Sequence, residues 1–128
     1  MEYTKGIKAL LSANAAINST VGTKIYPVQA PSGTAIPYVT YEVMNTDVEH
    51  SKDKAEHITA RIEVVGYTTT YADACTMHTN LKAALARQSY NSGGITIDKV
   101  FIQEEEIEYF ESPDRYAVVM EVKAFVPL

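Results

Sequence analysis

The sequence predicts an α+β fold: a mostly antiparallel β-sheet with two helices packed on one face. Three observations carry this. Apolar and polar residues alternate in residues 37–43, 58–64 and 116–126, as in strands with one buried face. Residues 3–21 and 68–88 space their apolar side chains at helical intervals. The order is helix, short strand, two strands, helix, two strands, so each pair of long strands can close as a hairpin. The 128 residues suit a single domain spanning 1–128.

Tyr3, Ile7, Leu10 and Leu11 follow the i, i+4, i+7, i+8 pattern of one helical face, which Ile17 and Val21 extend. Thr4 is the expected cap, and residues 14–22 read as a frayed end and a turn. Ile25 and Tyr26 make at most a short strand. The next stretch, "PVQAPSGTAIP", holds three prolines and a glycine and reads as an extended, stiff crossing. Proline leaves such a segment little entropy to lose on ordering, which suits a plain structural crossover and an assembly surface equally. Pro37 opens a strand, where its missing N–H does no harm. Val39, Tyr41 and Val43 share one face of it, and Thr40 and Glu42 the other.

Residues 47–56, "DVEHSKDKAE", hold almost no apolar residue and read as a long, solvated, mobile hairpin loop. Ile58, Ala60, Ile62 and Val64 then point inward, with Thr59, Arg61 and Glu63 outward. The second helix is capped by Thr69 or Thr70 and places Ala74, Cys75, His78, Leu81 and Leu85 on one stripe. "SYNSGG" at 89–94 ends it with turn residues. Ile95 and Ile97 are odd while Val100 and Ile102 are even, so a bulge or turn falls near Asp98. Residues 111–115, "ESPDR", form a turn. Tyr116, Val118, Met120, Val122, Ala124 and Val126 line the inner face of the last strand.

Composition narrows the function. The net charge of −5, from 16 acidic and 11 basic residues, speaks against a surface that grips nucleic acid. It is compatible with a channel that DNA passes without sticking. The lone Cys75 excludes an internal disulfide. No segment reads as a signal peptide or approaches the ~20 apolar residues of a membrane span, so a soluble, cytoplasmic protein is expected. Nine tyrosines and no tryptophan favour half-buried and interface positions.

The chemistry-bearing clusters read as structural. Cys75 and His78 lie three apart on a helix and could pair as nucleophile and base or as metal ligands. Their place on the apolar stripe makes Cys75 instead a buried packing residue with slow thiol reactivity. His50 and His57, with Asp47, Glu49, Asp53 and Glu56, could hold a divalent metal, but a charged loop ordinarily keeps an edge solvated. In "QEEEIEYFE", Glu104, Glu106 and Glu108 project from one face about 7 Å apart if extended. A row of equivalent carboxylates lacks the distinct environments of a glycosidase pair. No cofactor, metal site or enzymatic activity is expected.

The motifs "VGTKIYPVQAPSGTAIPYVTYE" and "ITARIEVVGYTTTYADA", preceded by a helix, resemble the tail completion family of long-tailed bacteriophages, which includes tail terminator and tail-to-head joining proteins. The matching positions are Gly22, Lys24, Ile25, Tyr26, Pro27, Ala30, Pro31, Gly33, Pro37, Tyr38, Val39 and Tyr41, then Arg61, Ile62, Val64, Tyr67, Tyr71 and Ala74. The acidic run at 104–108 is less usual for the family.

The resemblance implies a virion protein without catalytic residues. It implies a ring, usually of six copies, at the head-proximal end of the tail tube, stopping tube growth and presenting a surface to the head–tail connector or stopper protein. DNA would pass through the lumen unbound, no membrane would be involved, and assembly would take place in the host cytoplasm. Tyr26, Pro27, Pro31 and Tyr38 are the interface candidates in the crossing. Asp47, Glu49, Asp53 and Glu56 are the first choice for the lumen, with Glu104, Glu106 and Glu108 the second. The alternative is another small oligomeric binding module, of bacterial origin, with the same fold.

Overall fold

A computed structural model describes residues 2–50, 55–111 and 114–127. The elements are α1 (Thr4–Ala13), α2 (Ala15–Val21), β1 (Ile25–Pro27), β2 (Tyr38–His50), β3 (Ala55–Thr68), α3 (Tyr71–Leu85), β4 (Tyr90–Ser92), β5 (Ile95–Ile97), β6 (Lys99–Phe110) and β7 (Arg115–Pro127). The fold is α+β, as the alternation requires. Its main sheet runs β1-β2-β3-β7-β6, antiparallel except for the β1–β2 pair, and β4 and β5 form a separate small hairpin.

Among the described residues three helices, not two, accompany the sheet. Thr4 is the first helical residue rather than the cap, which falls on Tyr3 without a side-chain bond. The expected frayed end is a helix of its own. Asn14 adopts an extended backbone that stops α1, and its Oδ1 accepts from the Ile17 amide at 3.0 Å, satisfying a donor at the start of α2. Ile17 and Val21 are thereby buried. Thr70 caps α3 in the same way, its Oγ1 accepting from Asp73 N at 3.1 Å.

The core fills the space between the helices and the inner sheet face. Val39, Tyr41, Ile62, Val64, Val118, Met120 and Val122 are buried as the alternation predicts, and Ile58 is half-buried against them. The α3 stripe is Ala74, Met77, Leu81, Ala84 and Leu85. Cys75 is exposed, a correction to the buried placement expected for it. Met77, Leu81 and Leu85 fix the buried meridian at i, i+4, i+8, and Cys75, six residues before Leu81, projects well away from it. Gly66 lets α3 approach β3: a Cβ there would lie 2.6 Å from Met77 Cγ.

The loop expected at 47–56 is corrected at its two ends, where residues 47–50 and 55–56 lie in strands. β2 and β3 pair through Asp47↔Thr59, Val48↔Ile58, Glu49↔His57 and His50↔Ala55. A ladder is held by backbone groups, so polar side chains do not end it. Residues 51–54, Asp53 among them, lie outside the described residues.

The phase break at Asp98 is present, between β5 and β6. A second irregularity falls at Gln103, where the register passes from Ile102↔Val122 to Glu104↔Glu121. A matching one at Met44 interrupts β2 between Val43↔Ile62 and Asn45↔Arg61. Each extra residue reverses which side chains face the core along the rest of its strand.

Candidate functional site

The helices cover one face of the sheet, and the opposite face carries an unusual charge pattern. The registers place Glu42 opposite Glu63, Glu63 opposite Glu121, and Glu121 opposite Glu104. Four glutamates thus form one row across β2, β3, β7 and β6, with strands about 4.8 Å apart. Glu106 and Glu108 continue the acidic surface along β6. Directly opposed like charges destabilise a sheet. Partial burial pushes the Glu63 carboxyl above the usual range, and Glu42, Glu121 and Glu106 add to it. The Glu106 carboxyl is pushed up by its hydrogen bond to Glu108 and by that neighbour's charge. Arg61 Nε lies 3.5 Å from Glu121 Oε1 at the flank of the row.

The Gln103 bulge creates this row. Without it, Gln103 would oppose Glu121 and the outward parity of β6 would be lost at 104. With it, Glu105 turns to the helix side. There its carboxylate receives His78 Nε2 at 3.1 Å and Lys82 Nζ at 3.2 Å, tying α3 to the edge strand. Partial burial works against ionisation of Glu105, but the bonds from Lys82 and His78 prevail and hold its pKa low. Cys75 and His78 therefore serve different surroundings: His78 faces Glu105, while Cys75 sits beside Tyr71, whose hydroxyl pKa is raised chiefly by its hydrogen bond to that thiol. Among the described residues, no group of three or more His, Cys, Asp or Glu side chains could hold a metal ion.

The crossing is folded rather than simply extended, which corrects the expectation for it. After β1 the chain makes a γ-turn, with Gln29 N donating to Pro27 O at 2.7 Å and Val28 at φ 63°. A β-branched residue there is strained, and its side chain is left 62% exposed. A second turn closes with Thr34 N donating to Pro31 O at 3.1 Å, and Lys24 Nζ pins Ala35 O at 3.0 Å. Residues 28–34 thereby face Tyr38, Thr40 and Tyr67 across a cleft of about 240 Å³ on the outer sheet face. The Tyr38 and Tyr67 ring centroids lie 4.8 Å apart, with the planes tilted by 35°. At the same end of the sheet, Tyr109 and Tyr71 each contact Tyr116, and the Arg115 guanidinium lies 4.9 Å over the Phe110 ring.

The sequence-derived candidates thus separate into three places: the crossing cleft, the acidic outer face of β6 and the β2–β3 hairpin. Pro31 and Tyr38 line the cleft, while Tyr26 and Pro27 belong to β1 beside it. Glu104, Glu106 and Glu108 are exposed on the acidic face. Asp47 is exposed on β2; Glu49 and Glu56 lie on paired strands, but their side chains, like Asp53, are outside the described residues. Glu42, Glu63 and Glu121 were missed. Their outward parity is legible within each strand, but their alignment depends on registers that no single strand encodes.

Comparison with known proteins places this geometry. Residues 5–127 match the family described as "Tail completion protein gp17". No curated protein matches the chain. Among solved structures, a chain from the virion of a native gene transfer agent particle is similar with a TM-score of 0.76 at 19% identity, covering 95% of this chain and 92% of that one. That likeness shows a shared fold. The family match spans nearly every element described above, and the chain belongs to the tail completion protein gp17 family.

Proposed function

We propose that this phage tail structural protein caps the head-proximal end of the tail tube as a ring, of six copies as the family resemblance implies, and joins the tail to the head connector or stopper protein. Membership of the tail completion family is the observation that carries the reading. A ring suits the task because rotational closure stops a head-to-tail contact from growing into a filament. One ring face then meets the tube and the other the connector. The row Glu42–Glu63–Glu121–Glu104, with Glu106 and Glu108, supports the outer sheet face, ahead of the β2–β3 hairpin, as the surface nearest the passing DNA. Carboxylates there repel the phosphate backbone and let it slide.

The test is tail assembly with and without the chain. Its removal is expected to give tubes of uncontrolled length that do not join heads, and adding the purified protein to tubes should place a ring at one end by electron microscopy. Tubes of normal length joined to heads in its absence would refute the reading.

A further inference from the structure

We propose that neighbouring copies in the ring meet by seating the Phe110–Arg115 pair of one copy in the crossing cleft of the next; this rests on the ring reading above. The cleft runs from the β1–β2 edge of the sheet inward to Tyr67 on β3, and the pair joins Phe110 on the β6 edge strand to Arg115 on β7. Both are on the outer face and near the same end: Tyr38 opposes Tyr67, Tyr67 opposes Ala117, and Ala117 opposes Glu108, two residues before Phe110. A second copy displaced sideways, by rotation about an axis along the strands, therefore brings its cleft to the first copy's Phe110. The two patches differ, so the contact is heterologous and repeats in one direction until the rotation closes.

Their chemistry is complementary. Among the described residues no charged side chain lines the cleft; the tilted Tyr38–Tyr67 pair lies on its sheet side, and the crossing contributes Val28, Ser32 and Thr34. Phe110 is 37% exposed and carries a guanidinium over its ring. An aromatic side chain covered by a guanidinium offers apolar and π area to the tyrosine side of the cleft, and both are residue types that dominate binding energy at interfaces. The strained Val28 turn holds the outer lip of the cleft in place and leaves an apolar side chain in solvent there. Edge-to-edge strand pairing between copies is a poorer contact, because β6 and the free part of β2 both present acidic side chains.

The test uses the full chain with Cys75→Ser, adding Ser32→Cys at the cleft lip and Glu111→Cys beside Phe110, assembled on tail tubes and treated with a short bis-maleimide. The double variant should give a covalent ladder ending at the closed ring, and each single variant should remain monomeric on denaturing gels. Phe110→Ala should lose the ring with an unchanged melting temperature, and Phe110→Tyr should keep it. Rings seen by electron microscopy with no ladder, or a covalent dimer from either single variant, would overturn this contact while leaving the ring reading intact. Tubes that carry no ring with the Cys75→Ser protein would overturn both.

Discussion

Glu63 shows most directly how a side chain bears the conflict on the outer face. Its folded pKa is raised, so the native state takes up a proton before the unfolded chain does. Its contribution to stability therefore grows as pH falls through the raised folded value toward the unfolded one, and is unfavourable at neutral pH. Glu63→Gln should raise neutral stability by about 0.2–1 kcal/mol and flatten the change on acidification, as thermal melts between about pH 4 and 8 would show. An unchanged pH profile would mean that the row carries no strain. Cys75 makes a second test at this scale. Exposed on α3, it should react with a maleimide in the native protein about as fast as in the unfolded chain, and Cys75→Ser should leave folding intact.

Close approach governs the elements. Gly66→Val places a branched side chain against Met77 and should cost about 1–3 kcal/mol in denaturant unfolding, part of which Met77→Ala recovers. Full stability of the single variant would show that α3 has room to lift. Asn14→Ala removes the bond to Ile17 N and should cost about 0.5–2 kcal/mol, because it leaves an amide at the start of α2 without its side-chain acceptor. The α3–β6 tie responds to acid in the opposite sense from Glu63. The lowered pKa of Glu105 contributes stability above the unfolded carboxylate range, and this is lost as pH falls through the folded value. Amide exchange along β6 in Glu105→Gln should consequently be faster than in the native chain at neutral pH, and alike in acid.

At the scale of the whole molecule, the two faces of the sheet divide the labour. The inner face holds the helices, and the outer face is left acidic at the centre, with tyrosines and the Phe110–Arg115 pair at one end. If the acidic row borders the DNA path, replacing Glu42, Glu63, Glu104 and Glu121 with lysine should leave tail length normal and slow DNA delivery, most strongly at low salt. Tail length by microscopy and delivery measured on the same particles separate the two. Delivery at the native rate would remove the row from the DNA path.

The sequence by itself determined the fold class, the inner face of each long strand and the family. Alternation at Val118, Met120 and Val122 and helical spacing at Leu81 and Leu85 are local patterns that need no partner to be read. The motifs in residues 21–42 likewise lie in one contiguous stretch. Other features depended on distant segments. Cys75 looked apolar enough for the core until Met77 and Gly66 set the phase of α3. Residues 47–50 looked like a loop because side-chain polarity says nothing about backbone pairing with residues 55–59. The glutamate row needed three registers and the Gln103 bulge at once, and the cleft needed the crossing to turn back over Tyr38 and Tyr67. Register, bulges and chain reversal are fixed by contacts between segments far apart in the chain, and only the tertiary structure decided them.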